Sequence, residues 1–415
     1  MKSFIRLVRK LVPRSFRYAI QRYVNLTEFK ARQRALADPL SSVERSDPEV
    51  DAASEMSPVG ILRNRAQYHT QYITACKEMK LPFRVVDVFS DDWRRRVEES
   101  GCRVWMAWPD AVRSPQARLF KDRCRILEEV MGRVVYPGCR DMWMYEDKVR
   151  TRDWLMANGF PHPRTWVFTD RKEAEAFAET CGLPLVFKTS FGAAAAGVRI
   201  VRSRRVLRSL IRRAFRGGHV PGGHDPRDRE WGRILLQEYL PVEREWRMVR
   251  VGESYFGHPK GRVGDFHSGS GKAEWDLPSE ALLDLLHEVT ERGGFRSMDV
   301  DIFETPDGEL YINELQTVFG ASVSIDQMKK DGVAGRMVRR SEAVDTGEGR
   351  RDTGYGIPDK GGRGEEKGER RTSNVEHRTM KTEVSEEGSW IFEAGDFARN
   401  ACCNLRVADA LGVGE

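Results

Sequence analysis

The stretch FRSMDVDIFETPDGELYINELQT, residues 295–317, constrains this chain more than any other. Two strand-like runs flank Pro306, Asp307 and Gly308, whose turn chemistry favours a hairpin. Asp301 and Glu314 stand thirteen residues apart with that turn between them, so the hairpin brings both carboxylates onto neighbouring strands. Gln316, two residues past Glu314, points to the same face because strand side chains alternate. Two carboxylates and an amide oxygen suit Mg2+, which takes few protein ligands and leaves positions for phosphate and water. The same pattern, with Asp299 on the Asp301 face, also describes a solvated acidic sheet face.

A second stretch, FKTSFGAAAAGVRIV at 187–201, follows the apolar run LPLVF. Its Ser190–Gly197 segment, including Gly192, offers backbone N–H groups with little side-chain obstruction, so anion oxygens can approach closely. Lys188 within it and Lys148 upstream are point charges of the kind that bind phosphate. Taken alone, the segment favours a plain small-residue turn.

The chain has 415 residues, enough for two to three domains of about 100–200 residues. VGILRN and FRVVDVF read as buried strands around a helix containing Tyr72–Met79, with RVWMAWP as a third strand, which predicts a small parallel sheet over 58–140 after a linker at 30–57. Helices are expected at 151–158, 171–180 and 279–294, the last capped by Ser279, with strands at PRTWVF and RILLQEYLP. EWRMVRVGESYFGHPKGRV predicts a hairpin around Gly252 and Glu253. Residues 341–388, rich in Gly, Glu, Arg, Lys and Thr, predict disorder, and 389–412 regains apolar content as a docking segment.

A net charge of +6 is small against 69 basic and 63 acidic residues, so composition does not point to nucleic acid. The run RSRRVLRSLIRRAFRG carries a buried stripe and a single aromatic, Phe215, which suits a helix face better than a base-stacking platform. Seven cysteines without C-x-x-C spacing argue against a disulfide framework or a zinc site and for a reducing cytosol. No apolar run approaches the roughly 18 residues of a membrane span. The first 24 residues, within a basic segment at 1–29, mix Lys and Arg with apolar residues; they suit an anionic membrane surface or a helix packed on protein.

Four ordered pieces, YEDKVRTRDWLMANGFPHPRTWVF, LPLVFKTSFGAAAAGVRIV, LLQEYLPVEREWRMVRVG and DVDIFETPDGELYINELQT, resemble the ATP-grasp superfamily of glutathione synthetase, D-alanine–D-alanine ligase and the ribosomal-protein glutamate ligases. The resemblance implies an α/β class in which a small parallel-sheet domain precedes a two-lobed ATP-grasp domain at 141–335. It implies ATP with two Mg2+ ions, or Mn2+ in their place, at Asp301, Glu314 and Gln316, where the family more often has Asn as third ligand. Lys148 and Lys188 would contact the phosphates and adenine pocket, and Ser190, Gly192 and Gly197 belong to the phosphate lid. Glu238, with Tyr239 and Leu240, would hold adenine, and Glu245 the ribose hydroxyls. Arg247, Lys260 and Arg262 resemble the basic groups that steady the transferred phosphoryl.

The expected reaction joins a carboxylate, on a small molecule, glycan or peptide, to an amine through an acyl phosphate, in the cytoplasm or at the inner membrane face. The competing expectation is an ATP-binding regulator or scaffold of the same fold without turnover.

Overall fold

The computed structural model describes residues 56–109, 114–192, 195, 197–221, 224, 227–262, 276–318, 328–340 and 390–412. Expectations for residues 1–55, for Ala193, Ala194 and Ala196, and for 341–388 lie outside the described residues. The chain divides into residues 1–338 with 392–415, and residues 339–391. The architecture that follows belongs to the first of these.

Three sheets make up that unit. The first is parallel, in the order β2-β1-β3-β4, with β1 (Val59–Leu62), β2 (Phe83–Val86), β3 (Val104–Met106) and β4 (Val134–Tyr136). Helices α1 (Thr70–Glu78), α2 (Trp93–Glu99) and α3 (Ser114–Arg125) return the chain between them. Both faces are covered, which is why β1 reads as a continuous apolar run and is buried throughout. Gly60 is needed there, since a Cβ would fall 2.4 Å from the Trp105 ring.

The second sheet is antiparallel, β5-β8-β6-β7, from β5 (Thr165–Phe168), β6 (Leu185–Lys188), β7 (Val198–Val201) and β8 (Ile234–Glu238). Before it come α4 (Cys139–Met144) and α5 (Lys148–Asn158). Helices α6 (Arg171–Thr180) and α7 (Arg204–Arg216) back the sheet, packing Ala174, Ala178, Leu207 and Ile211 against Ile234 and Leu236. The arginine-rich run is therefore the outer face of an amphipathic helix, as its spacing predicts.

The third sheet runs β12-β11-β9-β10-β14-β13. Its strands are β9 (Arg244–Val251), β10 (Ser254–Pro259), β11 (Ser297–Glu304), β12 (Leu310–Gln316), β13 (Met328–Lys330) and β14 (Val333–Arg339). Helix α8 (Glu280–Gly293) buries Leu282, Leu283, Leu286 and Val289; the Ser279 hydroxyl accepts from the Leu282 N–H as N-cap. After β15 (Trp390–Ala394), whose Glu393 pairs with Arg336 at 2.8 Å, helix α9 (Arg399–Leu411) closes the unit. Ala398, Cys402 and Leu405 pack on Val249, Val251 and Phe256. Ala401, Cys403 and Val407 pack with Ile61, Tyr72 and Trp108 of the first sheet's core. Helix α9 thus wedges between two sheets. All seven cysteines are free.

Candidate active site

Two lysines enter one cleft from different elements. Lys188 ends β6, and Lys148 opens α5, whose N-terminus is capped by the Asp147 carboxylate accepting from the Arg150 N–H at 3.0 Å. The cleft is lined by both lysines with Leu235, Gln237, Ile312 and Asn313, and its volume of about 10 Å³ leaves room for little more than one water.

Opposite the lysines, the hairpin register places a transverse row. His258, Arg247, Asp301 and Glu314 are in-register partners across β10, β9, β11 and β12, and Asp299 pairs with Gln316 in a further row. A slip of register between Asp301 and Ile302 sets Glu314 opposite Asp301, and alternation then puts Gln316 on the same face.

Each buried charge in this face has a partner. Lys148 Nζ lies 2.9 Å from Glu314 Oε1 and donates to the Gly192 carbonyl at 3.1 Å. Burial opposes the Lys148 charge, but Glu314 and Glu146 hold its pKa above the ordinary lysine value. Burial pushes the Glu314 carboxyl up, and Lys148 outweighs it, leaving Glu314 below the usual range. Lys260 binds Asp301 and lies 2.9 Å from Glu245 Oε1; burial again opposes its charge, and Asp301 with Glu245 keeps it raised. Arg247 Nε sits 3.1 Å from Asp299 and 3.7 Å from Asp301. Lys188 differs: its Nζ donates to the Asn313 amide oxygen at 2.7 Å, and burial pushes its pKa down to about 8.

The segment after β6 is tied to these groups. The Lys148 N–H donates to the Ser190 carbonyl at 2.8 Å. The Ser190 N–H donates to Glu230 at 2.7 Å and the Gly192 N–H to Glu146 at 3.0 Å, so carboxylates hold two of the N–H groups expected to face phosphate. Gly192 has φ +107°, a region that favours glycine. At Gly197 a Cβ would lie 1.8 Å from the Thr189 hydroxyl, so this close return of the chain requires glycine.

Other expected residues stand apart from the cleft. Glu238 accepts from the Arg164 N–H at 2.6 Å and its Nε at 2.8 Å, while the adjacent Gln237 lines the cleft because the two alternate across β8. Tyr239 is exposed, Leu240 is half-buried, and Glu245 is buried against Lys260. Arg262 is exposed two residues past Lys260, whereas Arg247 and Lys260 converge on Asp301. Asn313, Gln237, Glu146 and Glu230 escape motif reading. For Asn313 a signal does exist: the apolar alternation at Leu310 and Ile312 slips phase before Leu315.

Asp301, Glu314 and Gln316 fit a divalent metal in a particular sense. Among the described residues no group of three or more His, Cys, Asp or Glu side chains converges. Two carboxylates and an amide therefore need oxygens from a ligand to complete a coordination sphere. The Gln316 amide N–H donates to Glu314 at 2.6 Å and its oxygen accepts from the Glu146 N–H at 3.2 Å, so the amide must turn to join a metal.

No protein-family model and no curated protein matches the chain. Among solved structures, the RimK domain ATP-grasp protein of Sphaerobacter thermophilus is similar at 16% identity, over 62% of this chain and 90% of that one, with TM-score 0.45. The biotin carboxylase domain of the Hydrogenobacter thermophilus 2-oxoglutarate carboxylase, in complex with MgADP, ADP and bicarbonate, is similar at 16% identity, over 65% and 66%, with TM-score 0.49. The ATP-grasp ligase PsnB, complexed with a minimal precursor, is similar at 15% identity, over 63% and 91%, with TM-score 0.44.

Proposed function

We propose that this chain is a nucleotide-dependent phosphoryl-transfer enzyme of ATP-grasp type. Within that class we read it as an ADP-forming carboxylate–amine ligase. The observation that supports the reading is the opposition of Lys188, which is buried, and Lys148, whose side chain is 9% exposed, to the in-register carboxylates Asp301 and Glu314 at the meeting of two sheets.

A substrate carboxylate oxygen attacks the terminal phosphorus of ATP, forming an acyl phosphate as the bond to ADP breaks. An amine nitrogen then attacks the acyl carbon; phosphate leaves, the amine loses a proton, and an amide results. Lys188 and Lys148 bind and orient the phosphate chain, and Arg247 and Lys260 stand where charge develops on the transferred group. The Ser190–Gly197 segment keeps water from the acyl phosphate. Divalent metal held by Asp301, Glu314 and Gln316 together with phosphate oxygens would neutralise charge on the chain. The nearly closed cleft means that the Lys148–Glu314 contact yields as nucleotide enters.

Residues 1–24 would hold the enzyme at an anionic inner membrane face, where a cell-envelope polysaccharide or peptide precursor supplies the carboxylate. Among the described residues, no helix is long and apolar enough to cross a membrane. ADP release over a panel of amino acids and uronic acids, with hydroxylamine trapping and product mass, tests the reaction. A hydroxamate and an amide product are expected; phosphate release that persists at the wild-type rate in Lys188→Ala overturns it.

A further inference from the structure

The strand β12 changes phase where it meets the cleft. Asp301 pairs with Glu314 but the next residue, Ile302, pairs with Ile312, so Asn313 is an extra residue bulged out of register. A bulge lets two neighbouring side chains share one face and re-aims the first of them. Here it sends Asn313 to Lys188 and Glu314 to Lys148, giving each cleft lysine its own partner on consecutive residues.

The two partners differ in charge. Lys148 meets a carboxylate, as Lys260 does at Asp301 and Glu245, and an ammonium so paired has already spent most of its attraction on a fixed anion. Lys188 meets a neutral amide oxygen, and among the described residues no carboxylate lies within ion-pair distance of it. We propose that Asn313 is a positioning residue that holds Lys188 without a carboxylate in contact, making Lys188, ahead of Lys148, the first seat for a polyphosphate in the cleft. This rests on the nucleotide reading above and assigns a division of labour within it. Asp is isosteric with Asn, so the strand accommodates either residue; the absence of charge is what position 313 contributes. Burial lowers the Lys188 pKa more than the nearby carboxylates Glu314, Glu245 and Asp301 raise it, in keeping with an ammonium that touches a neutral amide and no carboxylate.

Binding of inorganic pyrophosphate and of ADP, each in EDTA, to the full chain tests this by calorimetry, with circular dichroism and melting as fold controls. Asn313→Asp should weaken both ligands by about tenfold or more, because it supplies Lys188 with an internal anion. Asn313→Ser, which keeps a neutral acceptor, should restore affinity to within about threefold of wild type. Lys188→Met should cost more affinity than Lys148→Met, and this contrast carries the test should Asn313→Asp not fold. Pyrophosphate binding without ADP binding would keep the positioning role and remove the nucleotide reading. Asn313→Asp within twofold of wild type, equal losses in the two lysine variants, or a wild-type chain that binds neither ligand would overturn the proposal.

Discussion

One face of the third sheet carries two unlike surfaces on the same strands. Along β9 and β10, Val249, Val251 and Phe256 lie beneath Ala398, Cys402 and Leu405. Farther along those strands, Arg247 and His258 join Asp301 and Glu314 in a single row. Backbone alternation is identical in both halves, so the side chains alone decide what each can face. The apolar half gains roughly 25 cal/mol per Å² by being covered, and α9 covers it. The charged half would lose hydration under an apolar cover without compensating bonds, and it is met instead by Lys148 and Lys260. Asp299 marks the border: it is 1% exposed and tied to Arg247.

Lys188→Ala should lower MgATP-dependent ADP release by at least about 100- to 1,000-fold, with an unchanged or raised melting temperature because a buried charge has gone. A large fall in melting temperature with activity retained per folded molecule would reverse the assignment. Phe256→Ala, in the covered half, should cost about 3–5 kcal/mol in denaturant unfolding and leave pyrophosphate affinity of the folded chain unchanged.

Acidity sharpens the contrast. Burial pushes Lys188 down to about 8, so above that pH the free chain loses the proton a phosphate needs. Polyphosphate affinity should be flat below it and then fall, approaching about tenfold per pH unit, in calorimetry up to pH 9.5; Lys188→Arg should move the decline upward. Stability takes the opposite sign, because the unfolded lysine, near 10.5, binds the proton more tightly than the folded one. Between about 8 and 10.5 this group makes the fold more stable as pH rises. The smallest effect belongs to Ser279→Ala, which removes the cap of α8 on the opposite face. It should cost about 1 kcal/mol and change neither half.

Local chemistry made much of this legible in advance. Pro306, Asp307 and Gly308 announce the turn, and the hairpin does pair Asp301 with Glu314, but through a slip of register after Ile312; unbroken alternation would set Asn313 opposite Asp301. Ser279 and the leucine spacing after it place α8 correctly. Alternation fails at Asn313 because it assumes an unbroken period, and a bulge is a break. It also puts Gln237 in the cleft and turns its neighbour Glu238 away to Arg164. Helices α2 and α3 escaped because each buries only two side chains, Trp93 with Val97 and Phe120 with Cys124, too few for a visible stripe. The place of α9 is set by contacts with residues far away in sequence. No local period can reveal that Ala401 meets Tyr72.

That last helix has a consequence for how the protein is made. The first sheet and its helices leave the ribosome early, yet Ala401, Cys403 and Val407, which complete their core, are translated only after both other sheets. At about 5–20 residues per second, the wait lasts roughly 15–50 seconds. Through that interval Tyr72 and Trp108 lack their lid, and the nascent chain has a sticky flank that a chaperone can hold and that its own distant end must eventually reclaim.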